Sequence, residues 1–468
     1  MKMAGRDVKI IVVGAGIAGI SAAHHLVKNG FTNVVVLEAS DRIGGRIRTV
    51  EFGNGIIELG ANWIHGTGEE NSIFALAKEK GLITEPYIFL DRIEGQWCTE
   101  DGRIIPKTLV RKAWNLFCKL ESSLDLVWQN KERESLTCKE FVLKRLNEAL
   151  LEFQLQDREM VSAAFTCMVN YLCFHIGDDL ENVSLNLLGF FKEIPGGNVK
   201  LPLGFLEVVR SLFKQLNASV VQLNSKVTNI IRNSPQSLVK VCCHGNEEYT
   251  CDHVIVTCPL GYLKKHHEEL FTPPLPPSKV KALSHMGLGK VNKIFLCFEK
   301  PFWVKGQGGI KLSWKTKWDV FDPKEWYKSI FAFDEVLDNS SVLVAWIHGN
   351  SAEYMETLPD SVIMETCSML IQKFSNKTEV FPPTKIMRSS WCSNPLTLGS
   401  YSYYATSSDS TDVQCISDPL CCDQKPVVCF AGESTHIQYF STTHGARTSG
   451  IREAKRIISY HQNVSVRL

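Results

Sequence analysis

The sequence predicts an α/β protein in which a doubly wound, Rossmann-like parallel sheet is interwoven with a second unit. Three observations lead there. Lys9–Val13 is a short β-branched run that passes directly into the turn Gly14-Ala15-Gly16-Ile17-Ala18-Gly19 and then the helical stretch 21–28. A second buried-strand pattern, 34–37, follows the Asn29-Gly30 break and ends in Glu38. Helical and strand-like blocks then alternate over 468 residues, too long a chain for one ordinary core.

The first forty-six residues are a βαβ unit with a phosphate-binding turn. Gly14 permits the tight turn, Gly16 lets backbone approach a pyrophosphate, and Gly19 lets helix and strand pack closely, with Ala15 between them. The helix N-terminus that follows offers unpaired N–H groups to an anion. Glu38, nineteen positions after Gly19, stands where a carboxylate accepts from a ribose hydroxyl. In 41–46, DRIGGR, Arg42 and Arg46 flank a Gly pair that includes Gly45. Two fixed cations and free backbone N–H groups suit a diphosphate.

Residues 53–66, GNGIIELGANWIHG, are a glycine-rich connection. From 86 to about 191 apolar residues recur at three- and four-residue spacing, for example over 149–165, predicting helices. Ile194-Pro195-Gly196-Gly197 ends that block, and 202–216 reads as a helix. Alternating or β-branched runs at 220–223, 227–231, 238–242 and 254–256 suit a return to the nucleotide sheet. After the bend TPPLPP (272–277), strands are expected at 293–298, 329–333 and 342–347. A last strand before Gly432 and a helix over 445–459 close the chain. The expected division is 1–85, 196–290 and 388–468 for the nucleotide domain, and 86–195 with 291–387 for the second.

Composition excludes several classes. Lys plus Arg (51) nearly balances Asp plus Glu (50), so there is no electrostatic footprint for nucleic acid or an anionic membrane. The sixteen cysteines and thirteen histidines form no zinc-type spacing, so no metal site is expected, and scattered thiols fit a reducing, cytoplasmic setting. No run of about 18 uninterrupted apolar residues predicts a membrane span, and no secretory leader is expected. The end, Val466-Arg467-Leu468, faintly matches the peroxisomal S-K-L address.

Taken together, GAGIAG, DRIGGR, LGANWIHG (59–66), VIVTCPLGYLK (254–264), PFW (301–303), GSYSY (399–403), FAGEST (430–435) and YFSTTHGA (439–446) resemble the flavin-dependent polyamine oxidases of the monoamine oxidase superfamily. The resemblance runs nearly full length and rests on the combination. It implies a Rossmann-like FAD domain interwoven with an α+β substrate domain, a mixed sheet flanked by helices, and a tunnel to the flavin. It further implies hydride transfer from a secondary amine of a polyamine (spermine, or acetylated spermine or spermidine) to FAD. Imine hydrolysis then gives an aminoaldehyde and a shorter amine, and O2 becomes H2O2. Residues 193–196 look closer to the spermine-oxidase branch. Another flavin amine oxidase, or a non-catalytic FAD-binding module, is the alternative.

Roles transfer residue by residue. Lys293 matches a lysine that holds a water near the flavin; a desolvated lysine has a lowered pKa and exchanges protons near neutrality. His65 would stand over the flavin and orient or deprotonate the amine. Tyr401 would form the aromatic face before the flavin, with Tyr403 second and Trp63 lining the tunnel. Glu193, or the group Asp178, Asp179 and Glu181, would meet distal ammonium groups. Gly60, Ala61, Asn62, Val227, Glu433, Thr442 and Thr443 complete the implied FAD contacts. Gly399-Ser400-Tyr401 offers no thiol where monoamine oxidases link their flavin, so FAD is expected to be noncovalent. A monomer or weak homo-oligomer is expected.

Overall fold

The computed structural model describes residues 7–87, 93–127, 136–233, 238–315, 321–376 and 380–467; Leu468 of the C-terminal tripeptide lies outside them. A six-stranded sheet has the order 420–422, 425–430, 253–256, 9–13, 33–37, 221–222. All neighbours are parallel except the edge pair 420–422 and 425–430. Parallel strands covered on both faces need apolar side chains pointing both ways. The first strand supplies them: Ile10 and Val12 enter one core, Ile11 and Val13 the other. Each such side chain contributes about 1.5–3 kcal/mol on burial.

The first face packs against helices Ile17–Lys28, Leu206–Phe213 and Thr443–Arg467. The second packs against a four-stranded sheet of order 248–251, 238–243, 227–233, 271–272, and against helices Leu260–Leu270 and Pro277–His285. The α/β class is as expected, with a sheet covering much of that second face.

A second six-stranded sheet has the order 385–388, 291–297, 339–348, 332–336, 310–313, 96–99. Its only parallel pair is 310–313 with 96–99. It is thus a mixed sheet flanked by helices. Ile294, Leu296, Phe333, Leu343, Ala345 and Ile347 point into a core shared with the helix Asp360–Ser375. The opposite face meets helices Lys107–Val127 and Arg158–Ile176 at one end, and Phe52, Ile57 and Leu59 at the other. One stretch, Leu155–Ile176, is by composition apolar enough to cross a membrane, yet half of its apolar window is buried, with Val161, Phe165, Met168 and Leu172 in this core.

Several boundaries differ from the sequence expectation. The periodic stretch 149–165 spans two helices, Cys138–Leu150 and Arg158–Ile176, because the chain turns at 151–157. The helix expected over 202–216 forms only at Leu206–Phe213, since Gly204 takes a left-handed φ of 91°. The strand expected at 329–333 is shifted to Ala332–Val336 behind a 3-10 turn. The last helix runs Thr443–Arg467, longer at both ends, and Thr442 caps it by accepting from the Gly445 N–H at 2.9 Å.

Candidate functional site

One cavity of about 1410 Å³ runs between the two sheets. Small-ligand pockets hold about 300–1,000 Å³, so this one has room for a dinucleotide and a substrate together. Its walls include Gly14, Gly16, Glu38, Arg42, Gly45, Arg46, Gly60, Ala61, Asn62, Trp63, His65, Glu193, Val227, Lys293, Tyr401, Tyr403, Glu433, Thr442 and Thr443. Among the anticipated cofactor residues, Ala15 and Gly19 are absent from that wall. Ala15 donates its N–H to Glu38 Oε2 at 2.6 Å. Gly19 is a packing residue: a Cβ there would fall 1.9 Å from the Gly14 carbonyl oxygen.

The end of the cavity expected to take phosphates is built by the first strand and helix. Gly14 takes φ 103°, and Gly16 at the N-cap has no side chain to occupy the helix N-terminus, which opens on the cavity. A Cβ on Gly16 would meet only the Gly44 carbonyl, 4.0 Å away. Glu38 is buried and accepts from Ser40 N at 2.9 Å and Ser40 Oγ at 2.8 Å as well as from Ala15. Arg46 bridges Ser400 O at 2.6 Å and Glu433 Oε1 at 3.0 Å, while Glu433 Oε2 accepts from Ser402 Oγ and Ser441 N. Arg42 turns back onto the Gly45 carbonyl at 2.7 Å and so stiffens the Gly-Gly loop.

The N-terminus of the last helix opens on the same cavity through Thr442, Thr443, His444 and Ala446. Three buried polar atoms on the cavity wall, Ser400 Oγ, the Tyr404 hydroxyl and His444 Nε2, have no hydrogen-bond partner among the described residues. An orphaned buried group costs roughly 1–3 kcal/mol, so these atoms suit a bound polar ligand. Burial, with His65 and His436 adding to it, pushes the His444 imidazole down to about 3 and keeps it neutral. Two anion-friendly helix ends, a buried carboxylate at the second strand, and orphaned polar atoms together fit a flavin dinucleotide.

Lys293 lies on strand Val291–Cys297 and points away from the Ile294–Leu296 core into the cavity. The residue is 6% exposed, and its ammonium donates to Glu58 O at 2.8 Å and Gly60 O at 2.6 Å. The third N–H has no protein partner among the described residues. Burial pushes this amine down to about 7, against the opposing charge of Glu58. Glu58 is itself buried, and desolvation raises its carboxyl although Phe205 N and Thr49 Oγ1 donate to it. Lysine 293 is therefore a held amine, not a solvated strand-edge residue.

His65 sits on strand Trp63–His65, which pairs antiparallel with Asn198–Lys200 so that His65 faces Asn198. Nδ1 is 2.8 Å from Asn198 Oδ1. An amide oxygen only accepts, so in the neutral imidazole the proton is on Nδ1 and the lone pair on Nε2. Asn198 also lines the cavity. Sequence reasoning passed over it; its register opposite His65 was the missing signal.

Tyr401 donates its hydroxyl to the Phe174 carbonyl, and Tyr403 donates to Asp178 Oδ2 at 2.7 Å. Both phenols are held protonated by burial. Beyond them Phe174, Phe331, Tyr171 and Trp114 form a chain of ring contacts spaced 5.5–5.9 Å, all on the cavity wall. Of the acidic candidates, Glu193 is exposed on that wall, with no partner for its carboxylate among the described residues. Asp178, Asp179 and Glu181 are not on it. They are committed to Tyr403, His348 and Lys139, which corrects their candidacy as anionic walls.

Cys118, Cys167 and Cys258 also line the cavity. Burial pushes the Cys167 and Cys258 thiols up to about 12, so neither is an ionised nucleophile near neutrality.

Comparison with known proteins is consistent with this geometry. The family model described as flavin containing amine oxidoreductase matches residues 17–458. The peroxisomal N(1)-acetyl-spermine/spermidine oxidase of Bos taurus is 31% identical, over 97% of this chain and 95% of its own length. The Homo sapiens protein of the same name is 31% identical over 96% and 95%. Probable polyamine oxidase 5 of Arabidopsis thaliana is 30% identical over 98% and 99%.

Proposed function

The chain belongs to the flavin containing amine oxidoreductases, and from that membership we propose that it oxidises a secondary amine of a polyamine, with O2 as final acceptor and H2O2 as product. The observation that carries this reading is the continuity of the cavity. One space reaches from the phosphate-binding turn, past the buried amine of Lys293, to an aromatic arm and an exposed carboxylate. Such a space suits a linear cation: ring faces attract ammonium groups and Glu193 can meet a distal one. The relatives' names point to the same substrate class.

FAD would be held without a covalent bond by Gly14, Gly16, Glu38, Arg46, Gly60, Ala61, Asn62, Val227, Glu433, Thr442 and Thr443. When bound, it supplies a two-electron acceptor that oxygen can reoxidise. The chain supplies the rest. Nε2 of His65, with its lone pair directed by Asn198, accepts a proton from the substrate ammonium and leaves the neutral amine that oxidation requires. Tyr401, fixed through Phe174, gives that amine a rigid aromatic face, and Trp63 and Tyr403 extend the wall. Lys293 uses its third N–H to hold a water, and with an amine near neutrality it can pass a proton to or from that water as the imine is hydrolysed.

The proposed division is 1–85, 196–290 and 388–468 for the FAD domain, with 86–195 and 291–387 for the substrate domain. The proposed state is a monomer or weak homo-oligomer. Sixteen cysteines are all free thiols, which supports a reducing compartment such as the cytoplasm; the peroxisome in two relatives' names is the other location to test.

The test is anaerobic mixing of the FAD-loaded protein with spermine, N1-acetylspermine or spermidine while flavin absorbance near about 450 nm is followed. Bleaching by one of them supports the reading and names the preferred substrate. Bleaching by none, in protein that retains FAD, overturns it in favour of another amine or a binding module.

A further inference from the structure

Lys311, Asp334, Trp346 and Lys293 stand in a row on the cavity face of the mixed sheet, one on each of four adjacent strands. The register fixes this. Lys311 faces Ala332, two residues before Asp334; Asp334 faces Val344, two residues before Trp346; Trp346 faces Lys293. Residues directly opposite, or two apart along a strand, share a face. The intervening residues Ile310, Phe333, Ala345 and Ile294 all go to the opposite core.

The row is bonded along its length. Lys311 Nζ donates to Asp334 Oδ1 at 2.6 Å, and Trp346 Nε1 donates to Asp334 Oδ2 at 2.8 Å. The Trp346 ring centroid lies 5.0 Å from Lys293 Nζ. Both lysines are buried, and all four side chains line the cavity. An indole has one N–H, so a single acceptor at its edge decides how the ring is turned. Lys311 neutralises that acceptor, and Lys293 therefore meets the ring face instead of a second carboxylate. The charged group that bears on Lys293 is Glu58.

We infer that Asp334 is a positioning residue: through the indole N–H it fixes the Trp346 ring against the Lys293 ammonium, with Lys311 as its counter-ion. The ring then closes one flank of the amine to water, the Glu58 and Gly60 carbonyls close another, and one N–H remains for the cavity. The inference deepens the reading of Lys293 as a working amine and rests on it.

The amine's ionisation can be measured without turnover. Competitive acylation of the full-length, FAD-loaded protein with acetic anhydride over a pH series, read by peptide mass spectrometry, gives the pKa of Lys293 itself. Asp334→Ala frees the ring and admits water, so the pKa rises by at least about half a unit, roughly threefold in the ionisation constant. Trp346→Phe keeps a ring but lacks the N–H and gives the same rise, and the double variant adds nothing further. Asp334→Asn removes the same charge from beside Lys311 yet retains an acceptor for the indole, so its value stays below that of Asp334→Ala. A pKa that stays or falls in Asp334→Ala, an equal rise in Asp334→Asn, or additive effects in the double variant overturns the inference. If Asp334→Ala does not fold, the other two single variants decide: a larger rise in Trp346→Phe than in Asp334→Asn supports the row, and any other pattern overturns it. Because labelling requires no oxidation, a protein that no polyamine bleaches would refute the proposed function and still give a readable answer here.

Discussion

Replacing Lys293 by Met should remove a specific pH dependence of stability. The native amine is pushed down to about 7 from an ordinary 10.5, chiefly by burial. Between those values the unfolded chain binds a proton that the native protein has released, so stability rises with pH at up to about 1.4 kcal/mol per unit. From pH 7.5 to 9.5 the contribution of this one amine comes to about 2.5 kcal/mol. Below pH 7 both states are protonated and the full cost of the buried ammonium is present. Glu58, raised by burial, has the opposite slope, losing stability as pH rises through its folded pKa, and in the variant it loses the Lys293 charge that lowers it, which steepens the contrast between the two proteins instead of hiding it. The carbonyls of Glu58 and Gly60 lose their donor in the variant at every pH, which offsets the whole curve without tilting it. Guanidinium unfolding with excess FAD, followed by the release of flavin fluorescence, reads the difference between native and Lys293→Met proteins. Parallel stability curves from pH 7.5 to 9.5 would show that the amine keeps its proton as an ordinary lysine does, and the proton-exchange role would fall with it.

Three further outcomes are expected. Gly19→Ala puts a methyl 1.9 Å from the Gly14 carbonyl oxygen, so FAD affinity by fluorescence titration falls at least about tenfold as the turn is displaced; unchanged affinity would refute the packing role. Asn198→Ala removes the acceptor that fixes the His65 tautomer, and the anaerobic flavin-reduction rate drops about tenfold, the equivalent of one hydrogen bond of roughly 1.4 kcal/mol, with FAD affinity unaltered; an unchanged rate would refute it. Glu193→Gln raises KM for a polyamine several-fold at constant kcat, and the difference shrinks in high salt because the carboxylate is exposed; a fall in kcat instead would move Glu193 out of distal recognition.

The turn expected to take the cofactor was the legible part of the chain. GAGIAG, Glu38 and DRIGGR are contiguous signals whose geometry follows from local backbone rules, and their residues lie where the turn, helix and second strand require. Lys293 was legible as an anomaly, one cation in a strand that is apolar except for Asn292 beside it. What could not be read came from strand register. Asn198 opposite His65, and Trp346 opposite Lys293, meet residues 133 and 53 positions away only because of how the sheets pair. The acidic group 178–181 misled for a related reason. Its charge suggested a ligand wall, but tertiary partners on distant segments consume it. Arg42, expected at the diphosphate, lines the cavity and also donates to the neighbouring carbonyls of Ile43, Gly45 and Ile47.

Three successive carbonyls, those of Glu58, Leu59 and Gly60, accept respectively from Lys293, from the Trp391 indole and again from Lys293. The bonds stitch the strand leading from the cofactor segments to the sheet that carries the reacting face. Three bonds over three residues tie the two together beside the cavity. Under the proposed function, a junction tied in this way would hold the slot at a set width, so that a linear amine would enter it lengthwise.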